Sequence, residues 1–192
     1  MIIVVAAIVA VLTVPLTGRS LAPLANLALK RVWLVWLSIG LQVAIISVFV
    51  LPNWLGRPLH LGTYALSAAF LWSNRHLPGA WILALGTALN LAAIVANNGT
   101  MPASASAFRS AGLANAGSQF ENSNVVHAAR LPWLGDVFAI PKGWPLANVF
   151  SIGDVVIVVA ITYFVHVWCR STATDDTGAV GSDRVFDLAA EI

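Results

Sequence analysis

The sequence predicts an all-α membrane protein: a bundle of about five transmembrane helices with one long extracytoplasmic loop between helices 4 and 5. Three observations predict it. Only 9% of the 192 residues are charged and 59% are hydrophobic, against about a quarter charged in soluble domains, so charge is too scarce to cover a water-facing surface. Several apolar runs approach the roughly 20 residues a helix needs to cross a bilayer. Trp33, Trp54, Trp72, Trp81 and Trp168 stand near the ends of those runs, where indole rings favour the headgroup level.

The first run, 2–16, has no basic residue before it and reads as a retained helix rather than a cleavable signal. Residues 17–31 hold Arg19, Lys30 and Arg31, with Leu21, Leu24, Leu27 and Ala28 at helical spacing, the pattern of a short amphipathic helix lying on a membrane. The run 32–51 is uncharged, ends at Pro52-Asn53 and is the clearest span. The run 59–73 is short and equally suits a packed or re-entrant helix. Pro78, a first-turn proline, opens 78–96. The fifth span is 152–169. Residues 1–170 thus form a single transmembrane domain with a structured loop over 97–151, followed by a polar cytoplasmic tail, 171–192, whose end suits either one or two amphipathic turns or disorder.

Basic residues set the expected orientation. Arg19, Lys30, Arg31, Arg75 and Arg170 fall on one side, dense and close to helix ends, whereas Arg57, Arg109, Arg130 and Lys142 are spread over the other. This places the N-terminus outside and the C-terminus in the cytoplasm of an inner or plasma membrane crossed several times. No basic run tracks a phosphate backbone, so nucleic acid is not an expected partner. Membrane lipid and the protein partners of a membrane complex are.

Chemistry must lie in the loop. Its first half, Ala103 to Asn124, is rich in Ala, Ser, Gly and Asn, with few large anchors, which suggests mobility. Its second half, Leu131 to Phe150, is apolar, aromatic and stiffened by proline; it is expected to pack on the helix ends, presenting Trp133, Phe138 and Trp144 to lipid or a partner. Two aspartates stand out, Asp136 in Leu-Gly-Asp and Asp154 in Ser-Ile-Gly-Asp at the mouth of the last span. Acidic residues at membrane depth are costly and point to function; brought together, two carboxylates can share a proton and run acid–base hydrolysis. Each also has a structural reading. Ser151-x-x-Asp154 is a capping box, and Gly-Asp is common in turns.

Around them, Asn97, Gly99, Met101 and Pro102 close the fourth helix, in part as ordinary cap residues. His127 is the histidine that can approach the aspartates; His60, His76, His127 and His166 show no metal-ligand spacing, and no metal or cofactor is expected. Arg130 and Lys142 suit lipid phosphates, Glu121 a solvated position. Cys169 is the single cysteine and forms no internal disulfide.

The motifs Asn97-x-Gly99-x-Met101-Pro102, Leu134-Gly135-Asp136, Pro141 and Asn148-x-Phe150-Ser151-x-Gly153-Asp154 resemble those of a bacterial family of small multi-span membrane proteins known only by a domain-of-unknown-function label. The resemblance implies a fold and an inner-membrane setting, and no activity. Around the aspartates the chain is also loosely similar to lipoprotein signal peptidase, an aspartyl membrane enzyme whose second catalytic aspartate opens its last helix. The similarity implies catalytic roles for Asp136 and Asp154. The departures are the span number, Ser151 where that enzyme has Asn, and an Asn-Gly motif after the fourth span rather than early in the chain.

The leading expectation is an accessory or assembly subunit of a larger membrane complex, since the chain is small and carries no cofactor motif. The alternatives are a membrane-embedded aspartyl hydrolase using Asp136 and Asp154, and a lipid or quinone site where the loop meets the helices.

Overall fold

Apolar, β-branched and alanine-rich runs make helices here, and each stops where a residue without helical partners takes over. The computed structural model describes residues 2–45, 51–113 and 123–187. Glu121 lies outside them. Seven α-helices run in order: α1 (Ile2–Leu16), α2 (Ala22–Ala25), α3 (Trp33–Val43), α4 (Asn53–Ser73), α5 (Ala80–Ala96), α6 (Ala105–Ala111) and α7 (Ile152–Asp187). Two small sheets complete the described fold. β1 (Met101–Pro102) pairs in parallel with β2 (Ser123–Asn124), and β3 (Asp136–Ile140) pairs antiparallel with β4 (Asn148–Ser151). The molecule is mostly helical. One helix, over Ile152–Arg170, is long and apolar enough to cross a membrane; α1, α3 and α5 are apolar but shorter.

Four local expectations change. The helix expected over 59–73 starts at Asn53 and is 21 residues long, because Arg57 and Pro58, which look like breakers, sit in its second turn. Residues 17–31 form only the four-residue α2, and its neighbours Leu21 and Leu24 pack against α1 and α7 instead of facing outward. Pro23 permits an N-terminal turn, and Asn26 ends it one turn later. Ala103 to Asn124 is not anchorless, since α6 buries Phe108 with Ala103, Ala107, Ala111 and Val149. The tail continues α7 as far as Asp187.

Packing depth is set by glycines. A Cβ on Gly79 would lie 3.1 Å from the Ala160 carbonyl, while one on Gly86 would lie 2.8 Å from the Gly153 carbonyl. α5 and α7 are therefore antiparallel, and the first turn of α7 sits opposite Gly86 and Asn90, not opposite the end of α5. From Asn90 to Ala96, α5 runs on for about 9 Å at 1.5 Å per residue. The space above the start of α7 is filled by β1, β3 and β4, with Met101 and Leu134 packed on Ile94. At the opposite end Asn74, 2% exposed, accepts from Lys30 N (2.9 Å) and donates to Lys30 O (2.8 Å), tying the start of α3 to the end of α4.

Candidate functional site

The β3–β4 ladder brings the two aspartates into one region. Asp136 opens β3 and is the register partner of Ser151, the last residue of β4 and the N-cap of α7. Ser151 and Asp154 then form the capping box that the sequence suggests. Asp154 N donates to Ser151 Oγ (3.0 Å), and Ser151 N donates to Asp154 Oδ2 (3.0 Å).

Asn90 closes this box into a ring. Its Nδ2 donates to Asp154 Oδ1 (2.7 Å), and its Oδ1 accepts from Ser151 Oγ (2.7 Å). The ring fits only because residue 153 lacks a side chain: a Cβ there would fall 2.0 Å from Asn90 Oδ1. Asp154 is therefore fixed from both the strand side and the α5 side.

Asp136 is held more loosely and more deeply. It is 4% exposed, and its Oδ2 accepts from Ser123 Oγ at 2.6 Å. Its carbonyl accepts from Ser104 N (3.0 Å), and its backbone bridges to Ala103. Gly135 lets this strand close on β1, since a Cβ there would fall 2.0 Å from the Pro102 carbonyl. Burial pushes the Asp136 carboxyl up to about 6; the Ser123 hydroxyl works against that rise, and the charge on Asp154 adds to it.

Both carboxylates line one cavity of about 370 Å³. Asn90, Asn148 and Ser123 share its upper wall, and His60, Tyr64 and Gln42 come from the α3–α4 side. The His60 and Tyr64 rings meet edge to face, centroids 5.4 Å apart. Among the described residues no three His, Cys, Asp or Glu side chains gather as a metal site.

The other sequence candidates separate into two groups. Met101, Asn148, Ser151 and Gly153 belong to the cavity or its supporting ring. Asn97, Gly99 and Pro102 build the frame. Asn97 Nδ2 donates to Ala93 O and Arg130 O (both 2.7 Å), and its Oδ1 accepts from Arg130 N (2.9 Å), so it clamps the loop onto α5. Gly99 has φ +87° and packs on Arg57, where a Cβ would lie 2.8 Å from Arg57 Cβ. His127 is exposed and lines no part of the cavity. Trp133 and Trp144 are 60% and 68% exposed. Phe138 is half-exposed and stacks on Phe150 at 5.2 Å. Cys169 is buried against Val14 and Val165.

Sequence reasoning missed Asn90, Tyr64 and Ser123. Asn90 had a readable signal, being the one amide inside the run 80–96 four residues after Gly86; a polar side chain in such a run needs a partner. Ser123 had none, since only the loop's fold brings it to Asp136.

The profile of a family described as of unknown function (DUF5317) matches residues 26–166. Comparisons with curated proteins and with solved structures found no match.

Proposed function

The chain belongs to the DUF5317 family, a family of unknown function, and from its site we propose that it is a membrane-embedded hydrolase of the aspartyl type, with Asp136 and Asp154 as the acid–base pair. The observation that carries this is the opening of both carboxylates into one cavity, where Asp136 is buried and raised to about 6 beside the charge of Asp154. Neighbouring carboxylates pushed apart in proton affinity are how acid and base are assigned at one pH. Asp154, fixed by Asn90 and Ser151, takes a proton from a cavity water as that water's oxygen attacks a substrate carbonyl carbon. Asp136 gives its proton to the carbonyl oxygen, forming a tetrahedral diol. When the diol collapses, the bond to the leaving group breaks and that group takes the proton from Asp154, while the proton on the diol oxygen returns to Asp136.

The membrane setting is part of the proposal. Five bundle helices, α1, α3, α4, α5 and α7, correspond to the five expected spans. Arg19, bonded to the His166 carbonyl, Lys30 and Arg31, beside Asn74 and Ser73, and Arg75 gather at the end of the bundle away from the loop, as a cytoplasmic face requires. The exposed Trp33, Trp54, Trp72 and Trp81 suit interfacial belts. The loop then faces outward.

The test is an experimental structure in lipid together with Asp136→Asn and Asp154→Asn. Carboxyl groups more than about 8 Å apart and pointing separately would sink the reading, because one bridging water spans only about 6 Å. A second reading, an accessory subunit with lipid or protein partners at the loop, is favoured by the exposure of Trp133 and Trp144. Gentle-detergent purification should then bring down a stoichiometric partner, and a lone monomer in several mild detergents would argue against it.

A further inference from the structure

We propose that the substrate of this site is an apolar membrane-spanning polypeptide segment, which seats in the groove between α4 and α5 and presents a main-chain amide to the two carboxylates. The inference rests on the hydrolase reading above and on the depth of the cavity.

Depth comes first. Gly153 packs on Gly86 and Asn90, so Asp154 lies about 9 Å inside the end of α5. Tyr64, which lines the same cavity, is the twelfth of the 21 residues of α4, a helix whose length of about 31 Å matches the hydrocarbon core of roughly 30 Å. The cavity floor therefore sits near mid-bilayer. Ester and phosphate bonds of membrane lipids are tied to the headgroup level, about 15 Å away. A spanning polypeptide, in contrast, carries a carbonyl every 1.5 Å along its axis and so always has one at this depth. Freeing that amide from its helix exposes backbone donors and acceptors that hydrocarbon cannot satisfy. Gln42, Asn90 and Asn148 in the cavity wall can.

The groove supplies the route. It is an apolar cleft of about 240 Å³ between α4 and α5, walled by Ala68, Ala80, Ala84 and Ala88 and flanked by the exposed Trp72 and Trp81. Tyr64 and Thr87 line both the groove and the carboxylate cavity, so the two are continuous. From Tyr64 to Arg75 it runs about 16 Å, the length of three helical turns. Its small side chains allow the close backbone approach on which helix packing in membranes depends.

The test uses the full chain in proteoliposomes. p-Benzoylphenylalanine replaces Ala84, and the probe is a Leu/Ala transmembrane peptide of about 24 residues, with flanking lysines and a fluorophore–quencher pair astride its centre. A phospholipid with a fluorogenic ester is the comparison substrate. The expected result is crosslinking of the peptide at position 84 and cleavage of the wild-type probe, with cleavage falling at least about 100-fold in Asp136→Asn and in Asp154→Asn. Ala84→Trp, and independently Ala68→Leu, should each raise the peptide's KM about tenfold without changing the melting temperature. Crosslinking without cleavage keeps the groove and overturns the hydrolase. Cleavage of the ester lipid alone, or peptide cleavage without crosslinking and unaffected by both groove variants, keeps the hydrolase and overturns this inference. Neither crosslinking nor cleavage overturns both.

Discussion

α5 presents two faces built from small residues, and they do opposite things. Toward α7 it carries Gly86 and, one turn on, Asn90, and there is no spare volume: an added Cβ would meet backbone at 2.8 Å on Gly86, or Asn90 itself at 2.0 Å on Gly153. Toward α4 it carries Ala80, Ala84 and Ala88, and the helices leave a cleft of about 240 Å³. Glycine lets main chains touch, so a buried amide can reach across and lock a helix start. Alanine still holds the neighbour off by a methyl group, and where large residues such as Trp72 and Trp81 turn outward nothing fills the gap. The locked seam fixes Asp154; the open seam gives access to it.

The harshest way to break this contrast is Gly153→Ala. The new methyl displaces Asn90 from Asp154 and Ser151, adding the loss of two 2.7 Å hydrogen bonds to an overpacking cost of about 1–3 kcal/mol. A loss of about 3 kcal/mol or more is expected in detergent-solubilised unfolding. The corresponding change on the open face, Ala84→Gly, should cost only about 1 kcal/mol, from helix propensity. Equal losses at the two positions would abolish the distinction.

Asp136→Asn comes next, and its effect has a definite pH dependence. The folded chain binds the Asp136 proton up to about 6 and the unfolded chain only up to 3.8. The folded state is therefore favoured by protonation, and wild-type stability should fall as pH rises from about 4 through 6, then level off. The Asn variant lacks this slope. Above pH 7 it should be the more stable protein by about 3 kcal/mol, and near pH 4 the two should agree. Parallel curves for the two proteins across this range would show that the carboxyl is not raised.

Asn97→Ala probes the frame rather than the site. It removes three hydrogen bonds that clamp Arg130 and the end of α5, two of them at 2.7 Å. A loss of about 2 kcal/mol is expected, with hydrogen exchange rising first near residues 128–132. If protection fell first at the start of α7 instead, the clamp would have been misidentified.

What could be read from the sequence follows from how local each cause is. Helix positions, the Ser151–Asp154 capping box and the importance of Asn97 and Gly99 depend on neighbours a few residues away. The start of α4 was misread because Arg57 and Pro58 are poor helix formers locally, and only burial among other helices offsets them. The strands were not readable either: β1 pairs with a partner more than 20 residues on, and β3 and β4 lie in a segment that looks like irregular apolar loop. The aspartates were singled out correctly as a pair of residues, but their sinking below the end of α5 comes from Gly86 meeting Gly153, a contact between residues 67 positions apart.

The mildest probe, Ser123→Ala, asks whether Asp136 is as weakly held as its single side-chain partner implies. The Ser123 hydroxyl donates to Asp136 Oδ2 at 2.6 Å and opposes the rise that burial causes. A hydrogen bond to a charged carboxylate contributes about 1.5 kcal/mol or somewhat more, which corresponds to about one pH unit. Without it the Asp136 midpoint should move further up, readable as the infrared carbonyl band of the protonated acid persisting to higher pH. Stability should drop by about that amount at pH 8, where the carboxylate loses its donor, and by less at pH 4, where the acid is neutral. Asp154 has the opposite design, with donors on both oxygens, so Asn90→Ala should disturb it while leaving the Asp136–Ser123 bond in place. Should Ser123→Ala lower the midpoint instead, burial would not be what governs Asp136, and its assignment as the proton-donating member of the pair would fall with it.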